Sequence, residues 1–221
     1  MFISPICYND VVNNQKINLN DAQKEKKAMI WICIGCISFP LFILYDMNQI
    51  KSNRTYMKPL FLIGVVVLFS VTLKLSVTGF ESDYPVGFLT VAVFYLLAGI
   101  HLFLLVYTLF FAIPFQEAYV EGSRQKICKE GVYALCRHPG VLFLAGFYLF
   151  YGLALGRPVM LLAGGCFTAL NLLYVWIQDV YIFPSLFEGY EDYRKEAPFL
   201  IPGRDSVKKC VNDLKTRYGR R

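Results

Sequence analysis

The residues best suited to chemistry lie at 131–143, where a short hydrogen-bonding segment meets a long apolar one. The stretch reads G-V-Y-A-L-C-R-H-P-G-V-L-F, and Arg137 and His138 stand directly before Pro139. Proline fits the first turn of a helix because its missing N–H is not needed there, so the spacing predicts that a helix begins at Pro139. A helix N-terminus, a guanidinium fork and an imidazole together favour an anionic or carboxylate-bearing cofactor. The same residues would also serve as a positively charged anchor at a membrane surface.

A second polar pair, Gln178 and Asp179, follows the next apolar segment. Between the two apolar segments stands Gly156-Arg157-Pro158, which cannot continue a helix. The segments therefore predict a helical hairpin that returns the chain to the membrane face it left. On this basis we expect His138 and Asp179, 41 positions apart, to contribute to one pocket.

The pattern G-x-Y-x-x-x-R-H-P at 131–139 resembles the signature of the isoprenylcysteine carboxyl methyltransferase and phospholipid methyltransferase superfamily. The segment 178–202, Q-D-V-Y-I-F-P-S-L-F-E-G-Y-E-D-Y-R-K-E-A-P-F-L-I-P, is similar to the same superfamily without a gap. The matched positions are Asp179, Ile182, Tyr190, Tyr193, Pro198, Ile201 and Pro202. The departures are Val141 and Phe143 for a usual Tyr and Gly, Gln178-Asp179 for Glu-Glu, and Leu186-Phe187 for Phe-Gly.

The resemblance implies an all-α integral-membrane enzyme that transfers a methyl group from S-adenosylmethionine to a lipid-like or prenyl-like substrate. It assigns catalysis to Arg137 and Asp179, with Arg137 suited to the cofactor carboxylate and Asp179 to its ribose hydroxyls or amino group. Methyl transfer from a sulfonium is an in-line displacement, so the protein has to hold donor and acceptor close, aligned and dry, and no metal is implied. The predicted cofactor-binding residues are Tyr133, Arg137, His138, Pro139, Gln178, Asp179, Tyr190 and Tyr193.

Two other functional classes stay open on the sequence. Some sterol and steroid reductases that use NADPH resemble R-H-P-Asn-Tyr followed by Gly-Glu, whereas this chain continues with Gly140 to Phe143. A non-catalytic membrane scaffold built on the methyltransferase frame would explain the replaced Tyr and Gly. Stabilisation of the protein by S-adenosylhomocysteine, by NADPH or by neither would separate the three classes.

Composition places the chain among membrane proteins. Hydrophobic residues make up 56% and charged residues 17% of the 221 positions, and the mean hydropathy is +0.46. The net charge of +6 is spread over loops and the C-terminal tail, so no nucleic-acid partner is expected. The seven cysteines are an odd number without framework spacing, and we interpret them as reduced and mostly buried.

The hydropathy pattern predicts about five transmembrane helices. A polar tail, 1–27, precedes three spans within 28–113, the first of which ends near Tyr45 and carries a kink at Pro40. A polar loop is expected at 46–58, and a short turn at 79–85 makes spans two and three antiparallel neighbours. His101, near the middle of span three, is interpreted as a packed neutral imidazole or as a polar point on a substrate tunnel. The remaining segments are a cytosolic connector at 114–138 with an amphipathic helix, the hairpin and C-terminal motif at 139–202, and a basic tail at 203–221.

Basic residues predict the orientation of these spans. With the N-terminus outside, the inner loops and tail carry 16 Lys and Arg and the outer segments carry five. The positive-inside rule therefore predicts a cytosolic C-terminus, in a bacterial cytoplasmic membrane or the endoplasmic reticulum, and puts the cofactor pocket on the cytosolic face. After Pro202 the tail is expected to be mobile or to lie on anionic lipid. The methyl acceptor and the oligomeric state stay open.

Overall fold

The structure, a computed structural model, describes residues 23–78, 87–110, 125–126 and 129–218. The chain is almost entirely helical in these ranges. In chain order the helices are α1 (23–36), α2 (Ser38–Lys51), α3 (Leu60–Val77), α4 (Phe88–Phe110), α5 (Val132–Leu135), α6 (Pro139–Leu155), α7 (Pro158–Ile177), α8 (Phe183–Leu186), α9 (Tyr190–Glu196) and α10 (Arg204–Tyr218). Two-residue strands, β1 (Gln125–Lys126) and β2 (Phe187–Glu188), pair in parallel.

Four continuous helical segments are long and apolar enough to cross a membrane. They are Gln23–Lys51, Thr55–Val77, Phe88–Phe110 and Pro158–Leu186. The fifth apolar helix, α6, has 17 residues and measures about 25 Å at ~1.5 Å per residue, less than a hydrocarbon core of ~30 Å. Membrane-length helices are thus confirmed for four of the five predicted segments.

The first span is longer than its sequence suggests. It is helical from residue 23 and turns at Ile37, three residues before Pro40. The helix turns there because Pro40 has no N–H to donate to the carbonyl of residue 36. It continues to Lys51, so the loop predicted at 46–58 starts six residues later. Asp46 consequently lies within a helix, on the same face as Phe39 and Phe42, and is buried.

The predicted hairpin of α6 and α7 is present. Gly156 ends α6 in the left-handed conformation, which glycine adopts without strain, and Pro158 begins α7 after one further residue. Gly152 lies against Leu161 and Gly164 lies against Tyr148, and a side chain at either glycine would collide with these neighbours. These two glycines therefore allow α6 and α7 to pack closely.

A π-helical turn, Gln178–Ile182, connects α7 to α8 within one continuous helix. The widened turn immediately precedes Pro184, whose missing N–H interrupts the regular hydrogen-bond series. Gln178 and Asp179 both lie in this turn. Their side chains have different partners, because Gln178 bonds Asp46 of α2 and Asp179 accepts a hydrogen bond from Tyr190 of α9.

The third span, α4, packs most extensively on α6, and α6 packs on α7, while α3 packs on α2. The sequence predicted α3 and α4 as antiparallel neighbours, and within the described ranges they are not packed closely along their length. The two helices meet near one end, where the rings of Phe61 and Phe110 lie 6.5 Å apart. Their separation leaves room for a cavity.

The basic tail forms helix α10 and is held against the protein. α10 packs on α5, and Ser206 and Cys210 are buried. Ser206 also hydrogen-bonds both the N–H and the carbonyl of Gly203. The tail that was expected to be mobile or to lie on anionic lipid thus forms a helix in contact with the protein as far as Tyr218. The amphipathic helix expected in the connector falls mostly outside the described residues.

Candidate functional site

An elongated cavity of about 820 Å³ lies among α2, α3, α4, α6 and α7. Most of its wall is apolar, including Leu68, Leu105 and Leu144. Seven of the eight predicted site residues line it, and Asp179 does not. The polar lining residues are Asp46, Thr72, Thr108, Tyr133, Arg137, His138, Asn171, Gln178, Tyr190 and Tyr193, and further tyrosines line the wall. The hairpin therefore does bring the two sequence motifs to one cavity.

Asp179 is the centre of a buried hydrogen-bonded cluster behind this wall. The residue is 3% exposed. Its Oδ1 accepts hydrogen bonds from the Tyr190 hydroxyl at 2.6 Å and from His138 Nε2 at 3.3 Å. Its Oδ2 accepts one from Arg137 Nη2 at 3.3 Å and lies 3.3 Å from Arg194 Nε. Both oxygens thus have partners in this chain, and Asp179 positions the residues around it, while its contact with a cofactor stays a prediction.

Arg137 is held by hydrogen bonds from both its side chain and its backbone N–H. Nη1 donates to the carbonyls of Arg194 at 2.6 Å and Ala197 at 3.3 Å, and the backbone N–H donates to the Pro198 carbonyl at 2.9 Å. Nε lies 2.9 Å from Asp179 Oδ1 but is not aligned for a hydrogen bond, so this buried N–H has unused donor capacity. The predicted contact of Arg137 with a cofactor carboxylate would require its Asp179 and carbonyl partners to be exchanged.

His138 is enclosed by aromatic rings and stays neutral at physiological pH. Phe183 stacks on the imidazole at 5.8 Å between ring centroids and Phe199 meets it edge-on at 5.0 Å. Burial lowers the pKa of His138, and this outweighs the opposing effect of the neighbouring Asp179 carboxylate. Because a carboxylate accepts, the neutral imidazole carries its proton on Nε2 and leaves Nδ1 as the acceptor.

The two predicted tyrosines of α9 have different partners. Tyr190 binds Asp179, and burial followed by the Asp179 hydrogen bond raises the pKa of its hydroxyl well above the usual range. Tyr193 donates to the backbone carbonyl of Tyr133 at 2.7 Å, while the Tyr133 hydroxyl donates to the carbonyl of Thr108 at 3.0 Å. Tyr193 and Tyr133 thus link α9, α5 and α4.

Gln178 has different hydrogen-bond partners from Asp179. Its Nε2 donates to Asp46 Oδ2 and to the Tyr174 hydroxyl, both at 2.8 Å, and Tyr174 donates to the same Asp46 oxygen at 2.8 Å. Gln178 was predicted to bind the cofactor. Asp46 was not predicted as its partner, because Asp46 was expected to lie in the loop at 46–58. The spacing Phe39, Phe42, Asp46 is the helical signal that could have found it.

A second depression opens at the protein surface and shares Arg137 with the cavity. It has a volume of about 470 Å³ and is bordered by the segment 194–199 and the start of α10. Arg194, whose side chain is 36% exposed, lies between this surface groove and Asp179. Arg194 was not predicted as a site residue, although it directly follows the second tyrosine of the Tyr190-x-x-Tyr193 motif. Arg137 and its partners thus form the wall between a polar groove and an apolar cavity.

Two other candidate residues have packing roles. His101 Nδ1–H donates a 2.8 Å hydrogen bond to the Leu97 carbonyl, and its ring lies on Gly146 of α6 rather than in the cavity wall. This geometry favours the packed imidazole over the tunnel. Cys136 is fully buried, and burial raises the pKa of its thiol to about 11, so it is not a nucleophile at neutral pH.

No protein-family model, curated protein or solved structure was found to match the chain. The resemblance to membrane methyltransferases therefore depends on the residues quoted from the two motifs. The geometry adds that these motifs meet, that their charged groups are paired with one another, and that they close one end of an apolar cavity.

Proposed function

We propose that this chain is an integral-membrane methyltransferase that uses S-adenosylmethionine and methylates a lipid-like acceptor. The observation that carries the proposal is the meeting of the R-H-P motif and the Gln178-Asp179 turn at the polar end of an 820 Å³ apolar cavity. A hydrophobic pocket with a few convergent polar groups is the usual form of a small-molecule site. An apolar cavity inside a membrane protein suits a substrate with a hydrocarbon chain.

The cavity-facing side chains fit a polar cofactor at this end. His138, Gln178, Tyr190 and Arg137 are the polar side chains that line this end of the cavity. S-adenosylmethionine would supply an electrophilic methyl group there. Asp179 holds three of these side chains in position, and aromatic rings lie around His138. An in-line displacement requires such positioning and a site from which water can be excluded.

The proposal includes five spans, with α6 as the fifth and shortest. Its 17 apolar residues cross a bilayer that thins locally or is completed by the polar residues at its ends. The basic segments then lie on the cytosolic side, as does the surface groove that shares Arg137. In this arrangement the cofactor reaches the site from the cytosol and the acceptor reaches it from the bilayer.

The test is ligand-dependent stabilisation followed by a transfer assay. Purified protein in detergent is heated with S-adenosylhomocysteine, with NADPH or alone, and we expect only S-adenosylhomocysteine to raise the unfolding temperature. The protein is then reconstituted with a membrane lipid extract and S-adenosylmethionine labelled in the methyl group, and label should appear in the lipid fraction. Stabilisation by NADPH alone would favour the reductase, and stabilisation by neither would favour the scaffold.

His138→Ala supplies the matched variant for both measurements, with Asp192→Asn as its control. Asp192 lies on the exposed face of α9, where it contacts Lys195 and nothing in the cavity. Loss of stabilisation and of label in the His138 variant, with neither lost in the control, is the expected result. Full activity in a folded His138 variant would exclude this site.

A further inference from the structure

We propose that one face of α10 lies on the membrane surface and binds the anionic headgroups of phospholipids. This lipid face consists of Arg204, Val207, Lys208, Val211 and Lys215. It gives the lipid contact predicted for the basic tail a defined position. The inference goes beyond the proposed function, because lipid would bind there whether or not the chain transfers a methyl group.

The side chains of α10 divide between an inner and an outer face. Ser206 and Cys210 are buried, and the helix packs on α5. At about 100° per residue, the five residues of the lipid face fall within an arc of about 100° of the helix circumference. All five are exposed. One side of α10 therefore holds it to the protein while another side faces outward.

The lipid face combines apolar and cationic side chains without an acidic one. The exposed Val207 and Val211 lie beside its three basic residues. Both acids of α10, Asp205 and Asp213, fall outside the arc. Apolar side chains bordered by Lys and Arg are typical of helices that lie in a membrane interface.

The basic residues of the lipid face are available to a ligand. Arg204, Lys208 and Lys215 form no salt bridge with any described residue. Lys209 points elsewhere, and its Nζ lies 3.4 Å from Glu196 Oε2 of α9. The tail at 203–221 carries seven basic and two acidic side chains, a net charge of +5. This charge complements the surface of a membrane that contains anionic lipid.

Helix α10 also lies close to the end of a membrane helix. The backbone N–H of His138 donates to the Phe199 carbonyl at 3.3 Å, and Pro139 begins α6. Phe199 and Arg204 are five positions apart, so α10 begins at most ~18 Å from this fixed point. Ile201, between them, is 78% exposed. A helix so near the end of α6 is within reach of the lipid headgroups.

The charges of the lipid face are sufficient for measurable binding. Each basic residue near an anionic surface contributes about fivefold to the affinity, so three of them contribute about a hundredfold. Lipid that binds only the folded helix also stabilises it against local opening. Protection of the α10 backbone from hydrogen exchange is therefore the quantity to measure.

Hydrogen exchange in lipid nanodiscs tests the inference on the full chain. The protein is reconstituted in phosphatidylcholine alone or in an equal mixture of phosphatidylcholine and phosphatidylserine, and exchange of the amides at 205–216 is followed by mass spectrometry. We expect exchange to be at least about tenfold slower in the anionic discs. Salt at about 1 M should remove most of the difference, because the Debye length then falls to about 3 Å.

A charge-neutralised variant identifies the residues responsible. Lys208→Gln with Lys215→Gln should remove most of the slowing, because the two charges together account for about 25-fold in lipid affinity. In neutral discs this variant should exchange like the wild type, which shows that α10 remains folded. Lys26→Gln with Lys27→Gln removes the same charge from exposed positions of α1 and should leave the slowing intact.

Photochemical crosslinking locates the contact on the helix. A benzophenone side chain introduced at the position of Val211 should form adducts with lipid in the anionic discs. The same group at Thr216, which is exposed and lies outside the arc, should form far fewer.

The outcomes are distinct from those of the methyl-transfer assay. Equal exchange in neutral and anionic discs, slowing that persists in the Lys208 and Lys215 variant, or equal lipid adducts at positions 211 and 216 would overturn the inference. Slowing by a short RNA in neutral discs, with none in anionic discs, would assign the face to a soluble polyanion instead. A chain that binds lipid through α10 but methylates no lipid would retain this inference and lose the proposed function.

Discussion

At the scale of single residues, the cluster around Asp179 combines the cost of burying a charge with the benefit of fixing the side chains around it. Its carboxylate is buried, yet it is satisfied by two guanidiniums, an imidazole and a phenol. Such a group costs desolvation free energy and in return fixes the side chains that bind it. His138 and Tyr190, which face the cavity, therefore have defined orientations before any ligand arrives.

Asp179→Asn should destabilise the protein strongly. The substitution removes the charge that pairs with Arg137, whose side chain is itself buried, and leaves that cation uncompensated. A buried pair broken in this way costs about 3–5 kcal/mol of unfolding free energy. Chemical denaturation in detergent measures it, with Asp192→Asn as the exposed control that should leave the unfolding curve unchanged. A small effect would mean that Arg137 finds another partner.

His138 should make stability depend on pH below about 6.5, the ordinary pKa of histidine. Burial, the largest influence, lowers the pKa of His138 in the folded protein. The unfolded chain therefore binds its proton first as the pH falls, so this contribution to stability is present above pH ~6.5 and is lost on acidification towards the folded pKa. Unfolding free energies from pH 7.5 to 5 measure the slope, and His138→Gln should flatten it. An unchanged slope in that variant would assign the pH dependence to other groups.

At the scale of helices, contacts between α4 and α6 depend on a glycine. A Cβ at Gly146 would collide with the His101 ring, whereas a Cβ at Gly165 of α7 would meet no atom within 4 Å. We expect Gly146→Ala to cost about 1–3 kcal/mol through overpacking and Gly165→Ala to be neutral or stabilising. Thermal unfolding compares them. The double variant His101→Ala, Gly146→Ala should recover stability, and failure to recover would place the strain elsewhere.

Helix α10 should protect Cys136. The thiol is fully buried, its pKa is raised to about 11, and Cys210 of α10 is close enough to influence it. Truncation after Arg204 removes that cover, so we expect Cys136 to react with a maleimide in the truncated chain and not in the full chain at pH 7. Peptide mass spectrometry identifies the labelled residue. Equal protection in both chains would show that α5 and α9 shield Cys136 without the tail.

Much of the helix pattern could be predicted because it depends on local signals. Pro139, Gly156 and Pro158 mark helix ends through their own backbone preferences, and the structure has the ends there. The partners of Asp46 and Arg194 depend instead on contacts across the fold, which apolar periodicity does not encode. The position of α4 on α6 was missed for the same reason, since a short connection limits distance at one end and does not fix which helix is packed along its length.

At the scale of the whole molecule, polar and apolar regions are arranged around the wall formed by Arg137 and its partners. The end of the molecule that contains Asp46, Gln178 and Arg137 also contains the surface groove and α10. The opposite end contains the hairpin turn, where Arg157 donates to the Thr78 carbonyl at 3.3 Å. Most basic side chains thus collect at the end with the candidate site.

This polarity predicts which residues share a side of the membrane. Ser52, which follows α2, and Thr216 of α10 belong to the end with the site, and Thr78 belongs to the other. Because Lys and Arg concentrate at the first end, we expect cysteines introduced at Ser52 and Thr216 to be cytosolic and one at Thr78 to face outward. An impermeant maleimide applied to sealed, right-side-out vesicles should label Thr78→Cys alone, and permeabilisation should add the other two. Mass spectrometry of the labelled peptides distinguishes the introduced cysteines from the native ones. The native Cys210 of α10 is buried, so it cannot replace the introduced cysteine as a reporter for that helix. Labelling of Ser52 and Thr216 on opposite sides would contradict the fold, whereas joint labelling from outside would keep the fold and invert the orientation, placing the site away from the cytosolic pool of methyl donor.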